Sequence, residues 1–171
     1  MGLFNEKVFR GNGMKRSEII KLIIICVVIL ALGYSGSFFV READNWYESL
    51  KKPIFTPPGW FFGPVWTVLY LLMGVAFFLV LRSGTGTAKG KTATACFIFQ
   101  FVFNLLWTPL FFGLKQPLIA FGDIVILWLA VLATVGSFYR VSKIAGLLLV
   151  PYFIWISFAA ILNASICLLN Q

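Results

Sequence analysis

Five apolar runs, each long enough to cross a bilayer, take up most of this chain: residues 19–40, 58–81, 92–112, 118–138 and 144–169. A hydrocarbon core about 30 Å thick needs about 20 apolar residues in a helix that rises 1.5 Å per residue. Inside that core every backbone N–H and C=O must be satisfied within the protein, and a run of this length does so as a helix. The last three runs are joined by connections of about five residues, short enough to make neighbours antiparallel. The pattern predicts an all-α membrane protein: a basic tail over residues 1–18, then a five-helix transmembrane bundle over 19–171. The long first loop, from about Arg41 to Pro57, is expected to act as a lid.

Composition agrees and excludes several functions. The chain is 60% hydrophobic and only 12% charged, against about 25% charged in soluble domains. Its net charge of +8 does not point to nucleic acid, because the basic residues sit at the ends of the apolar runs and leave no basic face to follow phosphates. Histidine is absent, which removes the commonest metal ligand and general base. Cys26, Cys96 and Cys167 stand singly inside apolar runs, the pattern of small packing residues and not of a metal site. The sequence predicts no metal and no obligatory cofactor. Met14 opens MKRSEIIKL, itself an ordinary start, so residues 1–13 read as an extension or a misassigned start.

Flanking charge sets the expected orientation. Ten of the fourteen Lys and Arg residues fall on the N-tail side and four, Arg41, Lys51, Lys52 and Lys115, on the other. The positive-inside rule then puts the N-terminus in the cytoplasm and loop 1 and the C-terminus outside, in a bacterial-type plasma membrane.

The stretch from Trp46 to Tyr70 is richer than a connector requires, with three of the six tryptophans and four of the seven prolines. It predicts the lid and the first wall of a binding site. Three helices also carry aromatic and polar stripes at spacings of three and four, which fall on one helix face. They are Trp66, Tyr70, Gly74 and Phe77 in the second run; Gln100, Asn104, Trp107, Thr108 and Phe111 in the third; and Tyr152, Trp155, Ala159 and Asn163 in the fifth. Each stripe alone is ordinary packing, with amides bonding across helices for about 0.6–2 kcal/mol. Facing one another, they line a cavity whose π-faces suit a flat apolar ligand better than an ion or a sugar.

Asp123 is the one acid inside an apolar run. It reads either as a proton-coupling carboxylate or as a partner for loop 1, through Lys51, Lys52 or backbone N–H groups, and a single carboxylate near a helix end favours the second. No nucleophile–base pair, phosphate loop or intramembrane carboxylate pair occurs, so an enzyme here depends on ligand, light, oxygen and tryptophan redox.

Five ordered motifs carry a family resemblance: Trp46-Tyr47-x-x-Leu50-x-Lys52-Pro53 with Pro57-Pro58; Pro64-Val65-Trp66-Thr67-x-Leu69-Tyr70-x-x-Met73-Gly74; Asn104-x-x-Trp107-x-x-Leu110-Phe111-Phe112; Asp123; and Pro151-Tyr152-x-x-Trp155-x-x-Phe158-Ala159-x-x-Leu162-Asn163. Together they resemble the translocator protein or tryptophan-rich sensory protein family (TspO/MBR), formerly the peripheral benzodiazepine receptor family. The resemblance implies a five-helix bundle, often a homodimer, with a pocket beneath loop 1 for protoporphyrin IX-like tetrapyrroles and other flat aromatic molecules. It carries Tyr47, Trp66, Tyr70, Asn104, Trp107 and Trp155 into that pocket, beside Tyr152 and Ala159 of the fifth-run stripe; the reading of the residues adds Trp46, Lys52, Pro53 and Asp123 as expected holders of the lid. Trp66 and Trp155 match the tryptophans linked to light-dependent porphyrin breakdown. The implied function is a membrane receptor or sensor, with transport or porphyrin degradation as alternatives. Two departures stand out. No tyrosine or basic residue follows Asn163, so sterol binding is not expected, and Pro109 lies inside the third run, where it can reshape the pocket.

Overall fold

A computed structural model describes residues 14–84 and 86–171, without the side chain of Asp44. The tail residues 1–13 lie outside the described part. Among the described residues the fold is entirely helical, with five spans long and apolar enough to cross a membrane.

The first span is α1 (Arg16–Tyr34) followed by the short α2 (Ser37–Glu42). Its start lies ahead of the apolar run because the Lys15 N–H donates to Glu18 Oε2 at 3.2 Å and closes the first turn. Much of the expected first loop is helical as well: α2 reaches Glu42, and α3 covers Asp44–Ser49. Span two is α4 (Gly59–Arg82), which runs through Pro64 without interruption. The carbonyl of Gly63, beside that proline, accepts from Thr67 Oγ1 at 2.8 Å and from the Tyr34 hydroxyl at 3.0 Å, tying the first span to the second.

Span three is α5 (Ala88–Thr108), capped by Thr87 accepting from the Gly90 N–H at 3.1 Å. Pro109 cannot donate to the α-helical ladder, and the span finishes as a π turn, Pro109–Gly113, closed by the Leu114 N–H on the Pro109 carbonyl at 2.8 Å. Span four is α6 (Pro117–Val141). Span five is α7 (Lys143–Leu148) and α8 (Val150–Leu169). Pro151 falls in the first turn of α8, and the Leu149 N–H turns back to Gly146 and Leu147, so the break is sealed within the span and not by a neighbouring helix.

Around the bundle the spans follow the order one, two, five, four, three. Glycine lets the first span approach closely, as small residues do in membranes. A Cβ on Gly33 would overlap the Tyr70 ring, and one on Gly36 would come within 2.9 Å of the Thr108 methyl. The N-tail half of the core is a stack of phenylalanines: Phe97 lies parallel to Phe77 at 4.2 Å, with Phe101 and Phe138 each at 5.8 Å.

Candidate functional site

The loop 1 half of the bundle holds the predicted residues, and it sorts them into two groups. The deeper group joins α4, α5 and α8. Trp66 stacks on Tyr70 at 5.2 Å and meets Tyr152 and Trp155 edge-on at 6.4 and 6.5 Å. Beneath these rings runs a buried hydrogen-bonded chain. Tyr70 donates to Asn104 Oδ1 (3.1 Å), Asn104 Nδ2 donates to the Tyr152 hydroxyl (3.0 Å), and Tyr152 donates to Gln100 Oε1 (2.9 Å). Trp66 and Tyr70 of span two, Gln100 and Asn104 of span three, and Tyr152 and Trp155 of span five therefore meet. Gly74 and Thr108 of the same stripes instead face Cys26 and Gly36 of the first span, and Phe77 joins the phenylalanine stack. Ala159 packs against the same core one turn beyond Trp155 and adds no bulk there.

The second group lies between loop 1 and the end of span three. Phe111, fully buried by the π turn, stacks on Trp107 at 5.0 Å and takes Trp46 of α3 on its edge at 5.7 Å. Tyr47 packs on Phe112 at 5.5 Å. Trp107 bridges the groups, and its N–H donates to Asn163 Oδ1 at 3.1 Å while Asn163 Nδ2 donates to the Pro117 carbonyl at 2.9 Å. Burial, and then the nearby Glu48 charge, pushes the Tyr47 phenol above its usual range.

Polar contacts hold loop 1, but not the expected ones. Lys52 Nζ pairs with Glu48 Oε2 at 2.9 Å and sits 4.5 Å over the Tyr47 ring. Pro53 caps a tight turn by accepting from the Thr56 N–H and hydroxyl at 3.0 and 2.7 Å. Asn170 bonds the Lys51 backbone twice, accepting its N–H and donating to its carbonyl, each at 2.9 Å. The tether expected from Asp123 is not made: no described hydrogen bond or salt bridge joins it to Lys51 or Lys52, and its Oδ2 is buried without a partner. Asp123 lies on the buried face of α6, and the Lys52 ammonium is already paired with Glu48.

Two donors in the deeper group are unspent. Gln100 Nε2 and Trp155 Nε1 are buried with no partner among the described residues, an exception to the rule that buried polar atoms are paired. Two apolar hollows lie on the outer surface, one along Pro64–Leu69 and one between α5 and α6. Sequence spacing also held signals for residues not predicted. Phe62, one turn before Trp66, meets Trp155 at 5.8 Å, and Phe158, three residues after Trp155, meets it at 5.5 Å. Asn170 stands two turns after Asn163 on the same face of the last helix.

The profile of the TspO/MBR family matches residues 23–169. The chain belongs to that family. It is 44% identical to the tryptophan-rich protein TspO of Archaeoglobus fulgidus, over 90% of this chain and 99% of the relative. It is also 41% identical to a tryptophan-rich sensory protein of Cereibacter sphaeroides, over 75% and 79% of the two chains. Identity to the human translocator protein is 39%, over 76% and 78%. This TspO/MBR chain is accordingly a multi-pass integral membrane protein.

Proposed function

We propose that the protein is a membrane receptor or sensor for flat aromatic ligands, porphyrins of the protoporphyrin IX type foremost. The carrying observation is the ring cluster of Trp66, Tyr70, Tyr152 and Trp155, drawn from two spans, with the unspent Trp155 N–H among them. Stacked π-faces with few donors match a macrocycle, and the spare N–H groups match its carboxylate or carbonyl oxygens. The ligand enters beneath loop 1, which acts as a lid whose backbone is held to the end of the last helix by Asn170. In this reading the N-terminus is cytoplasmic and the lid faces outside the plasma membrane, and a reporter at Gln171 active only in the cytoplasm would overturn that orientation. Relatives named sensory protein and translocator protein support signalling or transport as the outcome of binding.

Protoporphyrin IX titrated into purified protein is expected to quench tryptophan fluorescence, and Trp66→Phe with Trp155→Phe is expected to lower affinity about tenfold. Unchanged affinity in the double variant would remove the pocket assignment. A second reading, light- and oxygen-dependent breakdown of bound porphyrin, is favoured by the edge-on Trp66–Trp155 pair at 6.5 Å. It requires illumination to bleach porphyrin faster with wild type than with the double variant.

A further inference from the structure

A shallow groove runs down the outer face between α5 and α6, away from the aromatic site. Ala95, Cys96 and Phe99 of α5 and Leu129, Ala130 and Ala133 of α6 line it, and it encloses about 390 Å³ of almost wholly apolar space. At the N-tail end the same helices carry Lys89, Lys91 and Arg140, all exposed and none in a salt bridge among the described residues. Lys91 precedes Ala95 by one turn, Lys89 precedes Cys96 by two, and Arg140 follows Ala133 by two, so the cations head the groove on the faces that line it. At 1.5 Å per residue those lining residues lie from about 6 to about 17 Å below them, close to the depth of one leaflet's acyl chains.

The helix itself does not account for those lysines. Lys89 and Lys91 stand in or just past the first turn of α5, where the helix dipole disfavours cations, and that turn has no acid. The described acid at this end of the bundle, Glu18, is already paired with Arg82 at 3.1 Å. A second copy of the chain would cover the alanines but would bring a like-charged rim against this one. An anion with an apolar tail answers both features.

We propose that the groove binds an anionic phospholipid from the N-tail-side leaflet, its phosphate held by Lys89, Lys91 and Arg140 and one acyl chain lying along Ala95, Ala130 and Ala133. Native mass spectrometry of detergent-purified protein, titrated with dioleoyl phosphatidylglycerol, dioleoyl phosphatidylcholine or glycerol 3-phosphate, tests it. Phosphatidylglycerol is expected to bind about tenfold or more tightly than phosphatidylcholine, and glycerol 3-phosphate not measurably. K89Q/K91Q/R140Q should erase the preference, and Lys115→Gln, at the other end of the hairpin, should leave it intact. Ala133→Phe, or Ala95→Leu should the first not fold, should weaken phosphatidylglycerol binding by filling the groove. Equal binding of the two lipids, a preference that survives the triple substitution, or binding of glycerol 3-phosphate as tight as that of the lipid would each overturn the proposal. So would a groove-filling variant that keeps its lipid, or that instead converts a dimer to a monomer.

Discussion

At the N-tail end, Phe77, Phe97, Phe101 and Phe138 stack face to face in the core. At the loop 1 end the core rings are Trp66, Tyr70, Tyr152, Trp155 and Trp107, threaded by amides and hydroxyls. Both ends use aromatic volume to fill the bundle. Phenylalanine contributes contact alone, so the first end is finished once packed, whereas tryptophan, tyrosine and amides bring donors that must be placed. Two of those donors, on Gln100 and Trp155, have no described partner. The proposed function accordingly places recognition in the loop 1 half and leaves the phenylalanine end to packing.

The contrast is broken most severely from the packed end. Phe97→Ala removes the ring at the centre of the stack and is expected to cost about 3–5 kcal/mol, seen as a large drop in unfolding midpoint in detergent with little change in intrinsic ligand affinity. Asn104→Leu cuts the buried chain: the Tyr70 hydroxyl loses its acceptor, and Tyr152 loses the Asn104 donor while keeping its bond to Gln100. It should cost about 1–2 kcal/mol, and a similar loss from Asn104→Gln would show that chain geometry matters as much as polarity. Asn170→Ala frees the Lys51 backbone. Hydrogen exchange at the Lys51 amide should quicken while the global midpoint stays within about 0.5 kcal/mol of wild type. The smallest effect follows pH. A phenol raised by burial favours its neutral form in the folded state, so Tyr47 packing is intact below its unfolded pKa of about 10 and weakens as pH rises beyond it. Tyr47→Phe should abolish that alkaline loosening in a fluorescence titration.

The spans were legible because a bilayer leaves the backbone few choices. Their ends were less so: Thr87 and Lys15 start α5 and α1 ahead of the apolar runs, and hydropathy does not register a polar first turn. Spacing by three and four correctly grouped Gln100, Asn104 and Trp107 on one face, and Tyr152 with Trp155. It could not show that Trp46, Tyr47 and Trp107 gather on Phe111 as a separate group, since that depends on the π turn Pro109 imposes. The tether assigned to Asp123 failed for a similar reason. Charge complementarity between Asp123 and the loop 1 lysines was visible in the sequence, but Glu48, four residues from Lys52 on the same short segment, is the nearer partner.

The division of labour between the two halves is tested most directly by protoporphyrin IX titrations run in parallel on three proteins, each read below its own unfolding midpoint. Wild type and Phe97→Leu should bind alike, and Trp66→Phe with Trp155→Phe should bind about tenfold more weakly. Equal affinity in all three, or a loss confined to Phe97→Leu, would contradict the placing of recognition in the loop 1 half.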